Sequence, residues 1–95
     1  MESNVTTLDH LLAERGKRYG TFLTHAQVTC AIKRIIQQRL SERSFALEDD
    51  QQEALDMIAH KIGRIVNGDP SYVDSWDDIA GYAQLVADRL RSLGA

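Results

Sequence analysis

The stretch "DQQEALDMIAHKIGRIVNGDP", Asp50 to Pro70, is a helical pattern with a marked beginning and end. Asp50 and Glu53 have the spacing of a capping box, and Gly68 followed by Pro70 is typical of a helix stop and a turn. Between these signals, apolar side chains recur every three or four residues and form one stripe: Leu55, Ile58, Ile62, Ile65 and Val66. The stretch therefore predicts a helix over residues 50–67.

The same periodicity predicts three more helices. A helix over residues 74–92 follows the turn, with Asp74 or Ser71 as its cap and an apolar stripe formed by Trp76, Ile79, Ala83, Val86 and Leu90. Thr24 is placed to cap a helix over residues 25–40, whose isoleucines do not alternate with the period of a strand. A shorter helix over residues 7–15 carries Leu8, Leu11 and Leu12. We expect an all-α, four-helix bundle-like single domain over residues 1–95.

Size and composition limit the classes of function. A chain of 95 residues buries a small fraction of its surface, so we expect a symmetric homo-oligomer, a dimer or a tetramer. A net charge of -3 argues against general nucleic-acid binding. The single cysteine, Cys30, forms no internal disulfide and is expected to be a buried thiol. No apolar run is long enough for a membrane span or a signal peptide, so we expect a cytoplasmic protein without membrane association.

Two predicted helices combine acids with a glycine on the face away from the apolar stripe. On a helical wheel, the flank free of Leu55 and Ile62 carries Glu53, Asp56, His60 and Gly63. On the last helix, Asp74, Asp77, Asp78 and Gly81 lie together, opposite Trp76, which we place in the core. A helix-interior glycine costs roughly 1 kcal/mol relative to alanine. Each glycine therefore indicates close helix packing or the approach of a ligand.

The acids allow two interpretations. They can be helix caps and first-turn charges on a solvated face. Alternatively, Glu53 with Asp56, and Asp74 with Asp77 or Asp78, converge across an antiparallel helix pair. Such oxygen ligands would hold Mg²⁺, which binds nucleotide phosphates and polarises water.

The basic stretch "RGKRYG", Arg15 to Gly20, is not a P-loop, because the Gly-x-x-x-x-Gly-Lys-Ser/Thr pattern is absent. The stretch is either the end of a helix or a phosphate-binding segment. In the second case Lys17 or Arg18 contacts the phosphate, and Tyr19 stacks on a base. The other candidate ligand-binding residues are His25, His60, Lys61, Arg64 and Tyr82. Lys61 and Arg64 can equally pair with acids, and Tyr82 can be half-buried core.

The pattern Glu53-x-x-Asp56, seventeen residues, then Asp74-x-x-Asp77 resembles the paired acid motifs of the all-α, MazG-like nucleotide pyrophosphohydrolase superfamily. Residues 53–83 with "ERGKRYG", residues 14–20, also resemble a family of small phage-encoded proteins of unknown function. The superfamily resemblance implies a helical oligomer that releases pyrophosphate with Mg²⁺. It implies metal ligands at Glu53, Asp56, Asp74 and Asp77, and catalytic roles for Glu53, Asp56 and Asp78. Asp stands where the superfamily has Glu at Asp56 and Asp74.

Three functions fit these patterns. The first is a Mg²⁺-dependent nucleoside triphosphate pyrophosphohydrolase. The second is a non-catalytic protein that sequesters a nucleotide and so counters nucleotide-signalling host defence. The third is a helical protein-interaction module with a merely soluble acidic face. The resemblance favours a nucleotide as the partner, and between the first two it leans to the enzyme.

Overall fold

The computed structural model describes residues 2–94, with the side chains of residues 7–94. This part of the chain contains no strand and four helices: α1 (Glu2–Tyr19), α2 (Phe22–Glu42), α3 (Asp49–Asn67) and α4 (Val73–Ser92). The predicted all-α class is confirmed. None of these helices combines the length and the apolarity that a membrane crossing needs.

All four helices begin earlier than predicted, and the caps of α2, α3 and α4 differ from the predicted ones. The N-cap of α2 is Thr21, whose Oγ1 accepts a hydrogen bond from the Thr24 backbone N–H at 3.3 Å, so Thr24 itself is not the cap. The cap of α3 is Glu48, whose backbone N–H donates to Gln51 Oε1 at 3.0 Å, two residues before the predicted pair. α4 is capped at Tyr72 without a side-chain hydrogen bond, so neither Asp74 nor Ser71 serves.

α1 is longer than predicted, because it begins at Glu2 and continues through Gly16 to Tyr19. Its C-terminal end is fastened to the turn after α3, where the Asp69 N–H donates to the Arg18 carbonyl at 2.6 Å. Gly68 is required there, because an added Cβ would overlap the Arg18 backbone. The C-terminal end of α1 is therefore held against the turn between α3 and α4.

α3 is the central helix. It contacts α1, α2 and α4, whereas α2 and α4 do not touch each other within the described residues. α2, α3 and α4 thus form one layer and do not close into a bundle within a single chain.

The two sides of α3 pack by different means. Toward α2, Gly63 lies against Thr29 and His25, so the two backbones approach closely. Toward α4, ion pairs fix the register: Lys61 Nζ lies 2.9 Å from Asp78 Oδ2, and Asp50 pairs with Arg89 at the other end. Charge pairs and a buried small-residue contact therefore hold the layer together.

Two expected core residues lie at the surface. The Trp76 side chain is 53% exposed, and its Nε1–H donates to the Pro70 carbonyl at 2.8 Å, which holds the ring over the turn and away from α3. Cys30 is exposed on α2. Both predictions were wrong because the layer leaves part of each apolar stripe uncovered.

Candidate functional site

A cavity of about 570 Å³ lies between the C-terminal half of α1 and the α2–α3 pair. All three helices contribute to it, together with the short connection after α1. Its walls are formed by Leu12, Arg15, Gly16, Tyr19, Gly20, Thr21, Phe22, His25, His60 and Arg64. Its volume is in the range of small-molecule sites, roughly 300–1,000 Å³.

Helical spacing explains the wall that α1 supplies. Leu12, Arg15, Gly16 and Tyr19 follow one another at intervals of three, one and three residues, so they share one face of the helix. The bend at Gly20, whose φ is +77°, then starts α2 so that Phe22 and His25 lie across from that face. Glycine adopts this left-handed conformation without the steric cost that other residues have.

Apart from the Tyr19 phenol, the ionisable groups of the cavity wall are all basic. They are two arginines, Arg15 and Arg64, and two histidines, His25 and His60, with no aspartate or glutamate beside them. Neither arginine forms an ion pair with a carboxylate among the side chains of residues 7–94. Arg64 instead lies with its guanidinium carbon 4.2 Å from the centre of the Tyr19 ring.

The two histidines form a hydrogen-bonded pair. His25 Nε2 lies 3.0 Å from His60 Nδ1, and the rings meet edge to face at 4.5 Å between centroids. Burial, then the neighbouring His25 and Arg64, lower the pKa of His60 to about 4. Burial, followed by Arg64, also lowers the pKa of His25. Both rings are therefore neutral at neutral pH, and the Nε2 atom of His60 is left to donate or accept a bond from a ligand.

His25 is fixed by its surroundings. Its side chain is 6% exposed, and its Nδ1 is buried without a hydrogen-bond partner in the described structure. That nitrogen lies against the backbone of Gly63, which favours a proton there but is not at hydrogen-bond geometry. The effect of burial on the pKa outweighs this help. His25 thus acts as a rigid support that orients His60.

The cavity gathers four of the eight predicted ligand-binding residues: Tyr19, His25, His60 and Arg64. Lys17 is exposed outside it. Arg18 is engaged elsewhere, since it pairs with Glu14 at 3.3 Å and donates to Tyr72 Oη at 3.2 Å. Lys61, on the α4 side of α3, is paired with Asp78.

Tyr82 lies on α4, away from the cavity. It borders a shallow depression with Asp77, Asp78, Gly81 and Leu85. This depression contains the predicted acidic face of α4, but no basic side chain lines it. The structure therefore separates the predicted acids of α4 from the predicted base-stacking residue Tyr19.

The predicted acid pairs are offset along the α3–α4 helix pair. With Lys61 opposite Asp78 and Asp50 opposite Arg89, the antiparallel register places Asp56 level with Ala83 and Asp77 level with Ile62. At 1.5 Å per residue, Asp56 and Asp77 are about 9 Å apart along the helix axis. Glu53 and Asp74 lie farther apart still.

No group of three or more His, Cys, Asp or Glu side chains is arranged to hold a metal ion in the described part of the chain. Glu53 is exposed, and Asp56 accepts a hydrogen bond from Gln52 Nε2 at 3.2 Å. The four carboxylates of a single chain therefore do not fit a bound Mg²⁺. Such a site would need carboxylates from a second copy.

Sequence reasoning missed Arg15 and Phe22 as site residues. Arg15 lies four residues before Tyr19, so helical spacing alone could have placed it beside that ring. It was overlooked because the helix was expected to end at this residue. Phe22 had no comparable signal, because its position depends on the bend at Gly20.

Comparison with known proteins assigns the chain to no family. No protein-family model, curated protein or solved structure matches the chain. The resemblance to MazG-like enzymes and to small phage proteins stays a prediction, and function is inferred from the cavity and its charges.

Proposed function

We propose that this protein binds a nucleotide, or a similar molecule with an anionic and an aromatic part, in the cavity between α1 and the α2–α3 pair. The observation that supports the proposal is the charge of the wall: among the described residues, two arginines without a carboxylate partner and two histidines line it, with no acid, in a protein whose net charge is -3. Unpaired guanidinium groups that converge on one cavity favour an anion.

Each part of a nucleotide has a matching group in the wall. Arg15 and Arg64 can each donate two parallel hydrogen bonds to phosphate oxygens. With the His25 proton on Nδ1, His60 Nδ1–H donates to His25 Nε2, so His60 Nε2 can accept a hydrogen bond from a ribose hydroxyl. Tyr19 and Phe22 offer aromatic surfaces for a base, and base–aromatic stacking contributes about 1–3 kcal/mol per base.

Binding without turnover is the form of this function that the cavity supports best. Among the described residues, its wall holds no carboxylate that could bind Mg²⁺. Hydrolysis with Mg²⁺ through Glu53, Asp56, Asp74, Asp77 or Asp78 stays a prediction from the acidic pattern. The resemblance to phage proteins makes the nucleotide signals of host defence the first ligands to test.

We also propose that the protein acts as a homo-oligomer of two or four copies. The support is that a single chain buries few large apolar side chains: among the described residues, the buried hydrophobic ones are Ala54, Ala59 and Ile65. Chains of this size commonly need a second source of burial.

The test is a binding panel on the full chain by isothermal titration calorimetry. Nucleoside mono- and triphosphates, cyclic dinucleotides and ADP-ribose are each titrated with and without Mg²⁺. For the ligand that binds best, Arg15→Gln and Arg64→Gln should each raise Kd by about 10- to 100-fold, because a hydrogen bond to a charged group contributes about 1.5–3 kcal/mol.

The matched control is Arg34→Gln. Arg34 is an exposed arginine of α2 outside the cavity, so its replacement should leave Kd unchanged. If no compound in the panel binds, or if all three variants weaken binding equally, the cavity is not a nucleotide site.

Turnover is tested separately by denaturing the complex and analysing the ligand. Sequestration returns the nucleotide unchanged. Release of pyrophosphate that requires Mg²⁺ and is lost in Asp56→Asn would instead support the enzyme.

A further inference from the structure

One side of the α2–α3–α4 layer presents a continuous apolar surface. Between α3 and α4 it forms a groove of about 420 Å³ whose wall has no charged residue and only one polar side chain, Gln51. The predicted stripe of α3 continues the groove toward the α3–α4 turn. We name this surface the apolar face and define it by Leu55, Ile58, Ile62 and Val66 on α3, with Val86 and Leu90 on α4.

The apolar face lies on the opposite side of α3 from the ligand cavity. On a helical wheel at about 100° per residue, Leu55 and Ile62 are roughly half a turn from His60 and Arg64. The side chains of the apolar face remain accessible in a single chain, with Val66 62% and Leu55 37% exposed. Hydrophobic helix faces in folded domains are normally covered by a second layer.

The area of the chain shows how much cover is missing. The accessible surface is 6,896 Å², whereas a compact monomer of 10.7 kDa exposes about 5,500 Å². The exposed helix α1 contributes part of the excess of about 1,400 Å², and the uncovered sides of α3 and α4 contribute the rest. A standard protein–protein interface buries roughly 800 Å² of each partner, which is within this excess. The radius of gyration, 16.8 Å, likewise exceeds the value of about 12 Å for a compact chain of this length.

A second copy of the chain is the occupant that fits this surface. An interface with no charge in its centre is typical of permanent homodimers, which resemble a domain core divided in two. Under two-fold symmetry the same patch faces itself, so an apolar patch is its own complement. Each copy then covers the apolar face of the other with an equal area of its own.

We propose that two copies pack their apolar faces together, so that the folded protein is a symmetric dimer with two helical layers. The ligand cavities then lie on the outer sides of the dimer. The dimer interface and the ligand site use opposite sides of α3, so each can be tested without the other.

The mass of the full chain in solution tests the proposal. By sedimentation or light scattering at micromolar concentration, the wild-type protein should have twice the chain mass of 10.7 kDa, or four times if dimers pair. Val66→Asp and Leu55→Asp each place a charge in the interface, and each should raise the dimer dissociation constant at least 100-fold.

The control is Leu85→Asp. Leu85 is 68% exposed, close to the value for Val66, but it lies beside Asp78 on the other side of α4. This variant should keep the wild-type mass and helix content. Arg64→Gln should also keep the mass, which separates failure of the dimer from failure of the ligand site.

Unfolding of Val66→Asp is an informative result as well. In a lone chain this position, which is 62% exposed, would tolerate a polar residue with little loss of helix. Loss of circular dichroism together with loss of association therefore supports burial between copies. A monomeric wild-type protein, or variants that keep the wild-type mass, would overturn the proposal.

Discussion

Gly63 and Gly81 differ in their surroundings, although each occupies the interior of a helix. A Cβ added at Gly63 would lie 2.7 Å from Thr29 Cγ2 and 2.8 Å from His25 Nδ1. A Cβ added at Gly81 would meet nothing within 4 Å in the described structure. The sequence alone predicted that either close helix packing or an approaching ligand explains each of the two glycines. Packing is confirmed for Gly63, and Gly81 has no packing reason within one chain.

The largest expected effect is that of Gly63→Val. The branched side chain cannot fit between α3 and α2, so His25 and Thr29 must move, and overpacking of this kind costs about 1–3 kcal/mol. We expect the free energy of unfolding to fall by about 2 kcal/mol in urea denaturation. Because His25 orients His60, ligand affinity should fall as well.

Gly63→Ala tests whether volume is the cause. Alanine introduces only the overlap at Cβ, and it gains roughly 1 kcal/mol of helix propensity over glycine. Its loss of stability should therefore be smaller than that of the valine variant. Unchanged stability in Gly63→Val would mean that the α2–α3 contact is looser than the structure shows.

The second expected effect is a fall in the free energy of unfolding in mild acid. It originates at the His25–His60 pair, next to the contact of Gly63 with His25. The pKa of His60 is about 4 in the folded chain, lowered by burial, His25, Arg64, Lys61 and Lys33 in that order, against 6.5 in the unfolded chain. Between these values the unfolded state binds more protons, so stability is complete above pH 6.5 and falls as the pH decreases toward 4. One pKa unit corresponds to about 1.4 kcal/mol, and partial solvent access reduces the effect to about 1–2 kcal/mol.

His60→Gln checks the assignment. Glutamine does not titrate in this range and can still form a hydrogen bond with His25 Nε2. Urea denaturation from pH 4 to pH 7 should show a smaller slope for this variant than for the wild-type chain. An identical slope would assign the acid sensitivity to other groups, such as His25, whose pKa is also lowered by burial.

The helices could be predicted from the sequence because their signals are local. Apolar spacing and the Gly68–Pro70 stop place α3 within one residue at its start and at its end. The cap residues were harder to predict from the sequence, because several polar residues lie near each helix start. Thr21 and Thr24 illustrate this: both can cap α2, and only the backbone bend after Gly20 selects Thr21.

The arrangement of the helices could not be predicted in the same way. A helical wheel shows that α3 has an apolar stripe, but not which helix covers it. Periodicity placed Trp76 in the core, and the structure holds it over the Pro70 carbonyl instead. Likewise the acids of α3 and α4 share suitable faces, yet the Lys61–Asp78 register keeps them apart.

Part of the candidate site could be predicted from residue types. Cations and aromatic residues near Gly16 and Gly20 indicated a phosphate and base contact, and Tyr19 and Arg64 do meet at the cavity. The choice among neighbouring cations could not be made from the sequence, because it depends on tertiary contacts. Arg18 binds Tyr72, and Lys61 faces α4, which leaves Arg15 and Arg64 to the cavity.

The smallest effect, and the sharpest contrast with Gly63, is expected for Gly81→Ala. Within one chain nothing opposes the added methyl group, and helix propensity alone should raise the free energy of unfolding by up to about 1 kcal/mol. Urea denaturation measures this change, with Gly16→Ala as a second open helical glycine for comparison.

Gly81→Ala also distinguishes the two explanations of the acidic face of α4. If that face is merely solvated, the alanine variant is more stable and keeps its ligand affinity and its mass. If a second copy or a ligand approaches the α4 backbone beside Asp77 and Asp78, the methyl group obstructs that approach. Reduced association or weaker binding in this variant, but not in Gly16→Ala, would therefore show that Gly81 is retained for a contact outside its own chain.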